Sequence, residues 1–415
     1  MSPTEHCPLA IVGGGAAGLT AALWAARAGV RTVLLEGSKA PGRKILISGG
    51  GRCNVLPIGS EEADFFSTGS PNVLRRLFLT WRLEDVRAFF EVDLGLALVE
   101  EEASGKLFPA VQRARPVRDR LVRAVEEEGV EVRVPWRVER IERDPGGGLL
   151  LHNADGTQLH AERVILASGG CSVPKTGSDG SGYGLARSLG HSLLDPYPAL
   201  VPLLSDDAGF AGLAGIALPV RWRAIVGGKV VEERVRELLI THKGFSGPAV
   251  LDASHWWVRD RATIEVAWNA LTPEYWKDYW HARGRREAAR AVGDLLPRRL
   301  AEVLILRARL RLDVRMGTLT GPMRDRLLAV LCNFPLPISG DAGFSVAEVT
   351  GGGVPLGELN PSTLESRSTP GLYLCGEILD VIGRIGGYNF LWAWITGRLA
   401  GESAARAVAK AGAAT

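Results

Sequence analysis

Cysteine is scarce and scattered in this chain. Cys7, Cys53, Cys171, Cys332 and Cys375 are five among 415 residues, and no two are spaced C-x-x-C. An odd number at such wide intervals excludes a disulfide framework and a zinc site of paired cysteines. No metal site is expected. Long apolar runs are lacking as well: no uncharged stretch reaches the roughly 18 residues that would cross a bilayer. The short polar start, Met1 to Pro8, has no secretory pattern. A cytoplasmic protein with no membrane contact is therefore expected. An excess of one charge is also missing. Lys and Arg number 49 against 46 Asp and Glu, a net +3, so nothing draws the whole chain to nucleic acid.

What is present is glycine in a particular order. Residues 9 to 36 read as an apolar strand, a glycine turn, an Ala-rich amphipathic helix and a second strand ending at Glu36. Gly13, Gly15 and Gly18 keep the G-x-G-x-x-G spacing, with Ala16 and Ala17 between. Glu36, followed by Gly37, falls where a ribose-reading acid belongs. Gly13 permits the tight turn, Gly15 lets a pyrophosphate approach the backbone, and Gly18 lets the helix lie close to the sheet. The helix N-terminus offers free N–H groups and partial positive charge. A dinucleotide site is expected; the alternative is a structural turn before a core helix. A second glycine cluster follows, from Pro41 to Asn54. Ser48, Gly49 and Gly50 allow close backbone approach to a flat or phosphate-bearing ligand. Arg43, Lys44 and Arg52 supply charge, and Cys53 and Asn54 close the segment. No second G-x-G-x-x-G occurs. Gly351-Gly352-Gly353 lacks the strand-turn-helix context, so no dedicated nicotinamide domain is expected.

The first section, to about residue 195, has α/β character. Leu121 to Glu128 reads as a helix. Val130 to Val134 and Arg137 to Glu142, with Val138 inside, read as strands. Leu149 to His152 and Gln158 to Ala161 form a hairpin arm. Arg163 to Gly170 is an apolar strand ending in Ala167, Ser168 and Gly169. Pro196 to Pro202 breaks the pattern. Short β-like runs follow at Leu218–Val226, Lys229–Arg236 and Thr263–Trp268. Thr272-Pro273-Glu274 is a strong helix start, and about three helices run on to Phe334. Gly371 to Gly376 is again a buried strand, and Tyr388 to Lys410 a helix. The expected organisation is a discontinuous dinucleotide domain (1–195 and 345–415), a β insert (196–271 and 334–344) and a helical subdomain nested within it (272–333). That subdomain carries Arg283, Arg285, Arg286, Arg290, Arg298, Arg299, Arg307, Arg309, Arg311 and Arg315. They read first as a solvated face, and otherwise as a surface for an acidic partner or RNA.

Taken in order, several blocks resemble a known family. They are Gly13–Gly18, Gly42–Asn54, Gly105-Lys-Leu-Phe-Pro109, Ala167–Gly177 with Gly182-Tyr-Gly184, Pro198–Pro202, Thr241–Pro248, and Gly371–Asp380 with Gly386–Asn389. The chain is similar to the flavoproteins that include aminoacetone oxidase and 3-dehydro-bile-acid Δ4,6-reductase. The resemblance implies tightly bound FAD on a two-part, Rossmann-like α/β domain, with an inserted β-barrel and a helical subdomain. It adds Gly376, Glu377, Gly386, Gly387, Tyr388 and Asn389 to the cofactor residues, beside the two glycine clusters, Val138 and Ala167 to Gly169. Ser168 stands where the family usually has Thr. Lys243 stands where a large apolar residue is common.

A flavin needs donors near its N1–C2=O2 edge, where negative charge gathers when hydride reaches N5. The helix start at Gly386–Asn389 can supply them. Cys53 invites a disulfide-reductase reading, but no partner cysteine follows before Cys171, so it reads as a packing residue. His242, in Thr-His-Lys-Gly-Phe-Ser-Gly-Pro, is the candidate proton carrier; Asp380 and Tyr183 are weaker ones. The leading expectation is an FAD-dependent oxidoreductase acting on a small organic substrate, by amine oxidation or enone-type reduction through flavin N5. NAD(P)H is a possible transient donor. A flavin-dependent RNA-modifying protein and a non-catalytic redox sensor are the alternatives. The oligomeric state is left open.

Overall fold

A computed structural model describes residues 5–102 and 104–412. The expected domain bounds also take in residues 1–4, 103 and 413–415, which lie outside the described residues. The chain forms two compact units, Met1–Pro198 with Glu348–Thr415, and Ala199–Ala347.

The first unit is built on one sheet. Strands Glu131–Arg133, Thr32–Leu35, Glu5–Val12, Gln158–Leu166, Leu149–Asn153 and Val138–Arg143 follow one another across it. The first four run parallel, and Leu9 to Val12 and Thr32 to Leu35 are buried throughout, as parallel strands covered on both faces should be. Gln158–Leu166 serves two partners on its other edge. Gln158 to Ala161 pairs antiparallel with Leu149 to His152, and Val164 to Leu166 pairs parallel with Leu372 to Leu374. The C-terminal segment thereby joins the same sheet. The helix Ala16–Arg27 packs on the final helix, Tyr388–Gly412. Small residues make that approach possible. A Cβ on Gly397 would stand 2.4 Å from the Ala17 carbonyl oxygen, and one on Gly401 would stand 2.4 Å from that of Ala21.

The second unit has a seven-stranded antiparallel sheet. Its order is Phe334–Pro335, Thr263–Trp268, Ala217–Val226, Lys229–Thr241, Gly244–Ser246, Leu203–Leu204 and Gly340–Asp341. The long hairpin at its centre turns through Gly227 and Gly228, at φ +56° and +78°, the two positive angles that a two-residue hairpin loop demands. Leu218, Val220, Trp222 and Ala224 alternate inward. They meet a core that includes Phe210, Phe245, Trp268, Trp276 and Phe334.

Three elements differ from the sequence reading. The second glycine cluster is not a plain loop: Arg43–Gly51 starts as helix and breaks at Ser48, Gly49 and Gly50. The apolar residues before Ser48 sustain a turn, and the glycines then take φ +54° and +66°. A helix at Pro248–Asp260 follows the Gly-Phe-Ser-Gly block; proline at its first position starts it. The helical stretch holds four helices rather than three, Pro273–His281, Ala288–Gly293, Arg298–Arg307 and Gly321–Cys332, because the backbone stops and restarts at Arg283–Glu287.

Candidate cofactor site

The first unit gathers the glycine motifs at the C-terminal ends of its parallel strands. Gly13 has φ +102°, and a Cβ there would lie 2.5 Å from the Ala167 carbonyl oxygen. A Cβ on Gly18 would lie 1.8 Å from the Gly13 oxygen. Beside Gly15 nothing stands within 4 Å. The turn is thus pinned on two sides and open at its middle glycine, where the helix N-terminus begins. The Glu36 carboxylate closes back on this turn, accepting from the N–H of Gly14 at 2.8 Å and of Ser38 at 2.6 Å. Gly37 and Val138 stand at the adjoining strand ends, where a Cβ on Gly37 would touch Arg137 at 3.5 Å. The Gly42 N–H reaches the Gly14 carbonyl at 2.8 Å, which ties the second glycine segment to the first.

The charges of that second segment have protein partners. Lys44 Nζ lies 2.7 Å from Glu377 Oε2 and also donates to Ser172 Oγ. Glu377 Oε1 accepts from Ser172 Oγ at 2.8 Å and from the Thr350 N–H at 2.9 Å. Thr350 Oγ1 accepts from the N–H groups of Cys171 and Ser172. One partly buried network therefore joins three segments far apart in the chain. The Arg52 guanidinium sits 4.0 Å over the Phe108 ring and bonds Glu101 and Gln112, while Arg43 is exposed. Cys53 is fully buried at φ +61°, and burial pushes its thiol up to about 12. That disfavours a thiolate and agrees with a packing role.

At the C-terminal side, Gly376 donates to Thr396 Oγ1 at 3.0 Å and accepts from Trp392 Nε1. Gly386 and Gly387, at φ +130° and +98°, lead into the last helix; a Cβ on Gly387 would meet the Leu56 carbonyl carbon at 2.5 Å. Tyr388 is buried, with Phe65 edge-on at 5.8 Å. The Asn389 side chain closes a ring on the backbone of Gly383, accepting from its N–H and donating to its oxygen, both at 2.8 Å. Asp380 holds the N–H and hydroxyl of Thr68. Tyr183 is buried, and burial raises its phenol well above the ordinary range.

His242 belongs to the second unit, exposed in the turn between Lys229–Thr241 and Gly244–Ser246. Sequence reasoning passed over Ser172, Ser178, Thr350, Lys106 and Glu348. Glu348 is reached by solvent yet crowded. The crowding desolvates its carboxyl and pushes it above the ordinary carboxylate range, against the pull of Lys106 and Lys44. Lys106 stood inside a quoted block, but nothing local marked it. Among the described residues, no three His, Cys, Asp or Glu side chains are placed to hold a metal, and no helix is long and apolar enough to cross a membrane.

The Rossmann-domain model of the HI0933-like proteins matches residues 7–403. The chain belongs to this family. The family is one of FAD-dependent oxidoreductases, and the protein is an enzyme of that class. The chain is 34% identical over 415 aligned residues to the 3-dehydro-bile acid delta(4,6)-reductase of Clostridium scindens, covering 96% of this chain and 98% of that one. It is also 34% identical to the ribosomal RNA dihydrouridine synthase of Escherichia coli, covering 94% and 96%. The structure of 3-ketosteroid delta1-dehydrogenase from Sterolibacterium denitrificans superposes with a TM-score of 0.55 at 13% identity, over 97% of this chain and all of that one, a likeness of fold.

The family's cofactor fits the residues present. The open face at Gly15 is a cradle that a Cβ would fill. Two hydroxyls close to the turn, Ser168 Oγ and Ser178 Oγ, are shut off from solvent and have no hydrogen-bond partner among the described residues. A Cβ on Gly169 would strike the second of them at 2.9 Å. The fit rests on the open Gly15 position and the Glu36 carboxylate beside it, which suit a phosphate-bearing ribonucleotide.

Proposed function

We propose that this protein is an FAD-dependent reductase of a carbon–carbon double bond conjugated to a carbonyl in a small organic substrate. FAD, when bound, supplies hydride chemistry at N5. The observation that carries the reading is the single unit in which the open Gly13–Gly18 turn, Glu36, the Ser48–Asn54 break and the Gly386–Asn389 helix start all lie. Gly13, Gly15 and Glu36 would hold the adenosine and pyrophosphate half. The helix start would face the ring edge with N–H groups aligned in advance, the arrangement that stabilises developing charge at least reorganisation cost. The names of the relatives support the reaction class. Reducing Δ4,6 bonds of a 3-dehydro-bile acid and making dihydrouridine both saturate a double bond conjugated to a carbonyl. Amine oxidation is the less supported direction.

His242 is our candidate for carrying the proton that completes the reduction, since imidazole exchanges protons near neutral pH. A transiently docking NAD(P)H is the proposed donor, and the cytoplasm the proposed location. RNA as substrate is favoured by the name of the Escherichia coli relative and by the arginines of the second unit. Five of those arginines are already ion-paired: Arg286, Arg290, Arg298, Arg307 and Arg311. Arg299 is spent on the Gly212 carbonyl, and Arg283 lies over Tyr279. So much internal pairing favours the small-molecule reading.

The deciding experiment is an anaerobic titration. The flavin is reduced with NADH or NADPH, then mixed with a 3-keto-Δ4 steroid or with ribosomal RNA lacking dihydrouridine. Reoxidation by the enone supports the proposal. Reoxidation by RNA alone, with dihydrouridine appearing in it, replaces the proposal with the RNA reading. His242→Asn should leave FAD bound and slow reoxidation by about 10²-fold; an unchanged rate removes His242 from the chemistry.

A further inference from the structure

The cations of the first unit's glycine-rich segments are not equivalent. Lys44 is held by Glu377 and Ser172, Arg52 by Glu101 and the Phe108 ring, and Arg384 by Asp64. Lys106 has no ion-pair or hydrogen-bond partner among the described residues. Its cross-strand neighbour Glu101 makes no ion pair with it; one Glu101 oxygen takes Arg52 and the other takes Ser104 Oγ at 2.6 Å. The Lys106 stem is partly buried and runs beside the turn. A Cβ on Gly386 would stand 3.5 Å from Lys106 Cε and 3.6 Å from Cγ. The strand Lys106–Pro109 pairs with Leu56–Pro57, and Leu56 is the residue against which Gly387 is pressed. The central strand of this small sheet therefore brings an ammonium group with no hydrogen bond or ion pair among the described residues beside the start of a 25-residue helix. Both features carry positive charge, so together they favour an anion lying in contact with them; Glu348 and Glu101 act on Lys106 only without an ion pair.

We propose that Lys106 is the counter-charge of the reduced flavin, acting with the Gly386–Tyr388 helix start on the N1–C2=O2 edge and so raising the flavin's reduction potential. The proposal rests on the FAD reading above and adds to it the group that sets the redox poise. Lys44 and Arg52, the cations that stand out in the sequence, are neutralised by their own partners and do not fill this role.

The test uses sulfite, which gives its lone pair to N5 and leaves the displaced electron pair at the same edge. Full-length wild type, Lys106→Met and Lys106→Arg are reconstituted with FAD. The FAD dissociation constant, the sulfite dissociation constant and the potential against a reference dye are then measured. Lys106→Met should bind FAD and lose sulfite affinity tenfold or more. Its reduction equilibrium should fall by a similar factor, about 30 mV for a two-electron couple. Lys106→Arg should stay within about threefold of wild type, because it keeps the positive charge at this place. Should Lys106→Met fail to fold, Lys106→Gln carries the same expectation. A Met or Gln variant that holds FAD with unchanged sulfite affinity and potential overturns the proposal. So does an Arg variant as impaired as Met, which would make the role steric. Wild-type protein that cannot be loaded with FAD fails the cofactor reading itself, a distinguishable result.

Discussion

The two units use the same residue types for different ends. In the first, four of the site glycines are locked: Gly13, Gly18, Gly376 and Gly387 each have a neighbouring atom within 3 Å of where a Cβ would stand. In the second, the hairpin glycines Gly227 and Gly228 meet nothing within 4 Å and are chosen for backbone angle alone. Both units hold local and long-range ion pairs, Arg87–Glu91 in the first and Arg307–Asp207, 100 positions apart, in the second, but the first has pairs that reach further. The Lys44–Glu377 pair is joined to Ser172 and Thr350 and spans 333 positions of chain, whereas Arg298–Glu302 and Arg290–Glu287 are local pairs within one turn of helix. In the first unit this network joins distant segments of the chain. The second relies on tryptophan for its core.

The sharpest way to break that contrast is a methyl group. Gly18→Ala, with its Cβ 1.8 Å from the Gly13 oxygen, should abolish flavin content on purification. Gly228→Ala, at φ +78° in open space, should cost about 1–2 kcal/mol and leave flavin content unchanged. Next in size, Trp268→Ala removes a fully buried ring and should cost about 3–5 kcal/mol. Calorimetry with flavin fluorescence should show the second unit melting first while flavin stays bound; one merged transition would refute the separation. Lys44→Met should cost about 1–3 kcal/mol, because it leaves Glu377 without its cation. A double-mutant cycle with Glu377→Gln should return a coupling of about 0.5–3 kcal/mol, and additivity would show that the network joins nothing. The smallest effect belongs to Glu348. Its carboxyl is raised in the folded chain, so the stability tied to its neutral form is present below the unfolded value of about 4.3 and is lost as pH rises through the folded one. Glu348→Gln should therefore raise the melting temperature at neutral pH, and the gain should vanish in acid.

The Rossmann core was legible because its signals are local. Gly13, Gly15, Gly18 and Glu36 sit within one strand-helix-strand unit, and each glycine is needed for a reason visible in the sequence. Charge partners were not legible. Lys44 reads as a phosphate ligand, and nothing local reveals that Glu377, on the far side of the insert in sequence, stands beside it. Asn389 reads as a cofactor contact, and nothing local shows that its side chain also closes the turn at Gly383. The helix Pro248–Asp260 escaped notice because its first turn follows a Gly-rich strand end and its aromatic pair, Trp256 and Trp257, interrupts the helical period. Lys106 carried no local mark at all; its interest lies in the partners that its neighbours have already taken.

The strand Gln158–Leu166 has a consequence for how the protein is made. Its last three residues pair with Leu372 to Leu374, about 200 residues later in the chain. At about 5–20 residues per second, a ribosome needs roughly 10–40 s to deliver that partner. Throughout that interval the nascent first unit presents an apolar strand with one unpaired edge, while the whole insert emerges and folds. An edge of this kind invites pairing with other chains. Birth on the ribosome, more than life in solution, is when this sheet stands most in need of a chaperone's cover.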